Sequence, residues 1–148
     1  MTLDIFLSEN KNKKIVFTNG CFDILHIGHL KYLEEASLLG DLLIVGLNSD
    51  SSVKELKGET RPINNEFERK TFLMALKCVD HVEIFSEQTP LELIKKIVPQ
   101  VLVKGGDWSV DKIVGSKEVI SNGGEVKSLA FLEGYSTTKL INKIKNEF

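Results

Sequence analysis

The chain of 148 residues lacks most of the features that would mark an unusual setting. It has two cysteines, Cys21 and Cys78, with no zinc-type spacing and no third or fourth partner. A disulfide framework and a structural zinc site are therefore not expected, and both residues read as reduced thiols with structural roles. No proline- or glycine-rich tract, internal repeat or low-complexity segment divides the chain. No apolar run approaches the roughly 18 residues needed to span a bilayer. The first residues, Met1 to Leu7, lack the basic stretch and long apolar core of a signal peptide. The formal net charge is −2, and neither a basic patch nor an aromatic platform for nucleic acid stands out. What is present is 42% hydrophobic and 27% charged residues, an ordinary mixture for a single packed unit. The expectation is one soluble, cytoplasmic domain over residues 1–148, with residues 1–12 as a loose N-terminal arm and no membrane or nucleic-acid partner.

Along that domain, short apolar runs alternate with helical patterns. Strands are expected at 14–18, 41–48, 81–85, 101–103 and 125–131. Helices are expected at 30–39, 65–77, 90–98, 116–121 and from 137 onward. Gly40 suits the C′ position of the first helix. Residues 49–65 are polar and read as one long loop. Phe67, Thr71, Met74 and Ala75 share a stripe expected to face the core. This alternation predicts an α/β fold: a Rossmann-like, doubly wound, five-stranded parallel sheet with helices on both faces. Ligands of such sheets bind beyond the carboxyl ends of the strands, where strand order reverses.

Three segments converge on that edge. The first strand runs into Thr18-Asn19-Gly20-Cys21-Phe22-Asp23-Ile24-Leu25-His26-Ile27-Gly28-His29, a glycine-bearing loop that opens a helix. A helix start presents unpaired N–H groups and favours anions, and imidazole can donate to phosphate oxygens. Gly28, between the two histidines, lets backbone or ligand come close without a Cβ in the way. The fourth strand ends in Lys104-Gly105-Gly106-Asp107-Trp108, and the last helix begins at Ser136-Thr137-Thr138. A hydroxyl trio there either caps the helix or offers donors to phosphate. His26 and His29 could likewise be simple caps. Trp108 is either a packing anchor or a pocket wall. His81 and Tyr135 read as packing residues, and Lys139, Lys143 and Lys145 as a solvated face.

The His26–His29 loop resembles the signature of the nucleotidyltransferases that carry H-x-G-H, and Glu133-Gly134-Tyr135-Ser136-Thr137-Thr138 resembles their second motif. Asn48-Ser49-Asp50, Leu56-Lys57-Gly58 with Arg61-Pro62, Val103-Lys104-Gly105-Gly106-Asp107 and Gly115-Ser116-Lys117-Glu118-Val119 are similar to the heptose 1-phosphate adenylyltransferase branch. The resemblance spans about residues 13–145. It implies that AMP is transferred from ATP, with Mg²⁺, to heptose 1-phosphate, giving ADP-heptose and pyrophosphate for bacterial surface glycans such as lipopolysaccharide. Members act by direct in-line attack, so positioning and charge neutralisation carry the chemistry. Some members fuse this domain to a sugar kinase, for which a chain of this length has no room.

By the same resemblance, His26 and His29 contact the triphosphate, and Ser136, Thr137 and Thr138 bind phosphate groups. Lys14 and Lys57 neutralise charge, with Lys13 or Lys54 able to fill those places instead. Thr18, Asn19, Gly20, Cys21, Phe22 and Gly28 belong to the nucleotide loop. Asp23 either holds that loop or reaches Mg²⁺ through water. Arg69 faces the nucleotide, and Lys104, Gly105 and Asp107 lie near base and ribose. No residue is assigned as a direct metal ligand, and a homo-oligomer, dimer or larger, is implied. One departure stands out. Relatives that act on glycerol 3-phosphate carry an arginine just before the second motif, whereas Ala130-Phe131-Leu132-Glu133-Gly134 has none. One phosphate contact is left unassigned. The alternatives are a CTP-dependent cytidylyltransferase for a small alcohol phosphate such as glycerol 3-phosphate, and a non-catalytic nucleotide-binding regulator.

Overall fold

A computed structural model describes residues 1–148. In chain order the elements are α1 (Leu3–Glu9), β1 (Ile15–Gly20), α2 (Ile27–Ser37), β2 (Leu42–Asn48), α3 (Asp50–Lys57) and α4 (Glu66–Met74). They continue with β3 (His81–Phe85), α5 (Leu91–Ile97), β4 (Val101–Gly105), a 3₁₀ turn at Val110–Lys112, α6 (Ser116–Ser121), β5 (Glu125–Leu129) and α7 (Thr137–Glu147). The five strands are all parallel, in the order β3-β2-β1-β4-β5. Strand order therefore runs one way from β1 to β3 and the other way from β4 to β5. The reversal lies between β1 and β4, which opens a crevice at their carboxyl ends. The expected fold is the observed one.

Period-two alternation divides the strand side chains between two cores. Val16, Leu43, Val45, Leu47, Val82, Val101 and Val103 face one layer, where Leu33 and Ala36 of α2 and Leu73 of α4 cover them. Ile15, Phe17, Ile44 and Leu102 face the other, against Ile94 and Ile97 of α5, Val119 of α6, and Leu3 and Phe6 of α1. Residues 3–9 are thus a packed helix, not a loose arm. Thr2 caps it by accepting from the Ile5 N–H, and the Phe6 ring stacks on His81 at 4.9 Å. Two buried apolar residues per seven were too sparse a pattern to show in the sequence.

Other expectations also change. Residues 50–57 form a helix within the expected loop. Ser49 caps it, Asp50 sits in its first turn, and Lys54 and Lys57 in its last, all favourable to the helix dipole. With only Ser52 and Val53 buried, this helix has no apolar stripe to reveal it. In α4 the buried residues are Arg69 and Leu73, while Phe67 and Met74 are exposed. The apolar periodicity there marked the outer face. Ile144 of α7 is also exposed, and no residue of that helix is buried.

Gly40 is not a left-handed cap. A Cβ built on it would lie 2.7 Å from the Lys14 carbonyl oxygen and 2.7 Å from Val16 Cγ2, so glycine is required where the chain crosses the foot of β1. Gly40→Ala is expected to destabilise the fold by about 1–3 kcal/mol, the usual range for overpacking, as read by urea denaturation. A true C′ position without a neighbour would show less than this.

Candidate active site

A cleft of about 590 Å³ lies at the carboxyl edge of the sheet, over the crevice. Its floor is the loop from Asn19 to His29. This loop takes an improbable path, because Phe22 (φ 46°) and Ile24 (φ 58°) are both left-handed without being glycine. Such conformations cost about 1–3 kcal/mol each and persist only where the surroundings enforce them.

The enforcement is visible. The Asp23 carboxylate accepts from Arg61 Nε (2.8 Å) and from the backbone N–H groups of Ile63 (2.8 Å) and Asn64 (3.0 Å). Burial pushes the Asp23 carboxyl up, but these three donors outweigh it and hold it below its ordinary value. Arg69, 1% exposed, donates to the carbonyls of Cys21 (2.8 Å), Asn48 (2.7 Å) and Asn64 (2.9 Å) and to Asp50 Oδ1 (2.8 Å). The Thr137 hydroxyl donates to the Asp23 carbonyl at 3.3 Å. These bonds tie β1, β2, α3 and the N-terminus of α7 to one loop.

The two histidines open α2. His26 Nδ1 accepts from the Gly28 N–H at 3.1 Å, and His29 Nδ1 accepts from the His26 N–H at 3.2 Å. Capping and ligand binding are therefore compatible. With Nδ1 an acceptor, a neutral ring carries its proton on Nε2, leaving one N–H donor per ring. The ring centroids are 3.8 Å apart. Burial, the His26 ring beside it and the charge of Lys57 pull His29 down to about 4, and burial lowers His26 as well. Both rings are neutral donors near pH 7. Gly28 is needed because a Cβ there would meet the His26 ring at 2.8 Å and Tyr135 Cβ at 3.3 Å.

Of the residues expected at the site, His26, His29, Asn19, Gly20, Cys21, Phe22, Asp23, Gly28, Lys57, Lys104, Gly105, Ser136 and Thr137 line the cleft. Others do not. Lys14 precedes β1 at the opposite edge of the sheet, roughly 20 Å of strand away at ~3.3 Å per residue, and Lys13 lies at that same edge. Lys54 is exposed and outside the lining. Arg69 faces no ligand, because all three of its nitrogens already bond to protein oxygens. Thr18 is buried with its hydroxyl 2.6 Å from that of Tyr32, and supports the loop from beneath. Asp107 and Thr138 are exposed and outside the lining. Of the two roles expected of Asp23, holding the loop is the one its three donors account for.

Sequence reasoning missed Arg61, Gln88, Thr89, Lys112 and Phe131, which line the cleft. Several of them follow strand ends, where a parallel sheet delivers residues to its binding edge, and that position was the available signal. Trp108 is part of the wall, with Lys104 Nζ 5.7 Å from its ring. Burial raises the Cys21 thiol above its ordinary value despite Lys57, Arg69 and Arg61 nearby, so it is not an activated nucleophile.

A parallel sheet whose switch point carries paired imidazole donors beside a second helix N-terminus defines a nucleotidyltransferase-type site. The chain belongs to the cytidylyltransferase-like family, whose model matches residues 17–143. The bifunctional protein HldE of Campylobacter jejuni subsp. doylei is 58% identical over 141 residues, covering 95% of this chain and 30% of that protein. The bifunctional protein HldE of Geotalea uraniireducens is 56% identical over 137 residues, covering 93% and 28%. The chain thus spans under a third of these curated relatives. Among solved structures, a lipopolysaccharide core biosynthesis protein from Thermoplasma volcanium superposes with a TM-score of 0.65 at 29% identity, covering 84% of this chain and all of that one. A pantothenate synthetase from Thermus thermophilus, 16% identical with a TM-score of 0.59 over 88% of this chain and 60% of that one, shares the fold.

Two outcomes are expected from this geometry. Arg69→Met leaves Asp50 and three carbonyls without their donor and should cost about 3–5 kcal/mol, read as a lower urea midpoint at unchanged slope. The lowered His29 means that the unfolded chain binds more protons than the folded one between about pH 4 and pH 6.5. Stability is therefore full above pH 6.5 and declines as pH falls toward 4. In His29→Gln, which retains an acceptor for the His26 N–H, melting temperature should depend less on pH across that window.

Proposed function

We propose that the chain transfers AMP from ATP to heptose 1-phosphate, releasing pyrophosphate and forming ADP-heptose. The observation that carries this reading is the junction of the H-x-G-H loop with the start of α7. It is closed by the bond between Asp23 and Thr137, 114 positions apart in the chain. The naming of the relatives as HldE, and of the Thermoplasma volcanium structure as a lipopolysaccharide core biosynthesis protein, supports the sugar-phosphate branch.

In this reaction a phosphate oxygen of the sugar attacks the α-phosphorus, and the bond from that phosphorus to the bridging oxygen of the β-phosphate breaks. The attacking group is already an anion, so no proton needs removing. The cleft matches this requirement, because both histidines present Nε2–H donors and neither is arranged as a base. They donate to the departing phosphates together with the Ser136 hydroxyl and the free N–H groups in the first turn of α7. Lys57 adds positive charge, and Trp108 with Phe131 forms an apolar wall for the base. Asp23 is the only carboxylate lining the cleft, and three donors already hold it. The lining thus does not fit a resident Mg²⁺, and the ion is assigned to the ATP substrate, held by phosphates and water.

Pyrophosphate release tests this reading, with ATP, CTP and GTP crossed against heptose 1-phosphate, glycerol 3-phosphate and no acceptor. Release is expected only with ATP and heptose 1-phosphate, and His29→Ala should lower it by about 10²–10³-fold, as for loss of one oriented donor. Release with CTP and glycerol 3-phosphate would move the chain to another branch. Tight ATP binding without release under any condition would make it a regulator.

A further inference from the structure

We propose that Arg61 binds the phosphate of the acceptor substrate, supplying the cation that the segment before Ser136 lacks. The inference deepens the reading above and rests on it.

Three observations single out this side chain. Arg61 lines the cleft, although its side chain is only 16% exposed. It forms one side-chain hydrogen bond, from Nε to Asp23 Oδ2 at 2.8 Å. Its terminal nitrogens have no protein acceptor, yet neither is sealed from solvent, since Ser116 Oγ is the sole buried side-chain polar atom left unpaired. A guanidinium has five N–H donors in a fixed plane, so four remain without a protein acceptor, on nitrogens that solvent reaches. Arg69, eight residues further along the chain, is the opposite case, fully enclosed with bonds from Nε and both terminal nitrogens. Arg69 spends every nitrogen on the scaffold, whereas Arg61 spends only Nε on it and keeps its fork free. Asp23 sets the plane of that fork, and its other partners at Ile63 and Asn64 keep the carboxylate from turning with the arginine. A planar fork fixed in this way suits bidentate binding of a phosphate.

Topology selects which phosphate. The H-x-G-H loop follows β1 at the centre of the sheet. Lys104, Trp108 and the start of α7 follow β4 and β5 on one side. Lys57 and Arg61 follow β2, and Gln88 and Thr89 follow β3, on the other. In-line displacement puts the attacking and departing oxygens on opposite sides of the phosphorus. With ATP lying across β1 toward β4 and β5, the attacking phosphate enters from the β2 and β3 side. Arg61 meets it there, and Gln88 and Thr89 face the body of the acceptor.

The test compares wild type with Arg61→Lys and Arg61→Met. ATP binding is measured by calorimetry without acceptor, the KM for acceptor by pyrophosphate release, and folding by thermal melting. Arg61→Lys preserves the charge and guards against a variant that merely fails to fold. The expected result is a rise in acceptor KM of about 10- to 100-fold in both variants, the range for a lost charge-assisted bond. ATP affinity should stay within twofold in Arg61→Lys, which keeps a cation beside Asp23, whereas Arg61→Met takes the charge partner from that buried carboxylate and should also melt lower. An unchanged KM overturns the proposal. So does a loss of ATP affinity in Arg61→Lys as large as its rise in KM, which would make Arg61 a support for the loop and nothing more. If the working acceptor is not heptose 1-phosphate, that substrate assignment falls while the same comparison still judges Arg61. Absence of turnover with every acceptor overturns both.

Discussion

One guanidinium without access to water holds this site together. Arg69 reaches the carbonyl of Cys21 in the signature loop, that of Asn48 at the end of β2, that of Asn64 ahead of α4, and the carboxylate of Asp50 at the head of α3. Each carbonyl lies at the boundary of a regular element, where no hydrogen-bond ladder continues. A buried carbonyl in that position needs a donor. An arginine on the inner face of α4 provides donors to all of them from a single rigid plane. The β1–α2 loop, the end of β2 and the entry to α4 therefore cannot shift independently. The left-handed Phe22 and Ile24 can be maintained because their neighbours are fixed from two directions, by Arg69 below and by the bonds to Asp23 beside them.

The histidine pair shows how local structure and chemistry use the same atoms. Helix α2 needs acceptors at its first turn, and the two Nδ1 atoms provide them. That use decides the tautomer, which in turn decides that Nε2 of each ring offers a proton to the cleft. Protonating either ring would place a proton on the nitrogen that serves as a cap and put like charge beside its neighbour. The helix thus keeps both rings in the form that donates without carrying charge, and Lys57 and Arg61 are left to supply the positive charge.

Much of this was legible in the sequence. Strong apolar runs gave β1 to β4, and the alternation of strands and helices gave the parallel sheet. The H-x-G-H and Ser136-Thr137 segments marked the two halves of the site. What could not be read followed from weak or inverted patterns. Helix α3 buries two residues, one of them a serine, and α1 buries two of seven. Helix α4 was legible as a helix, yet its inward face carries the arginine and its outward face Phe67 and Met74, so apolar periodicity pointed the wrong way. Arg69 looked like a ligand contact because a charge is expected at water or at substrate. Only tertiary structure shows that the carbonyls of Cys21, Asn48 and Asn64 require it. Lys14 failed for a topological reason, since a residue before a strand and one after it lie at opposite edges of a sheet.

Helix α7 carries Ser136 and Thr137 into the cleft, yet none of its residues is buried. Eleven residues are too few to hold a helix in water unaided, so its persistence depends on its first turn and on the half-buried Leu140 and Ile141. Its free energy of local opening lies well below that of the sheet. In the proposed reaction, phosphate oxygens at that first turn would act as an additional cap, and their binding would be thermodynamically linked to helix order. Part of the intrinsic affinity for a triphosphate would then be expressed as ordering of the C-terminal segment.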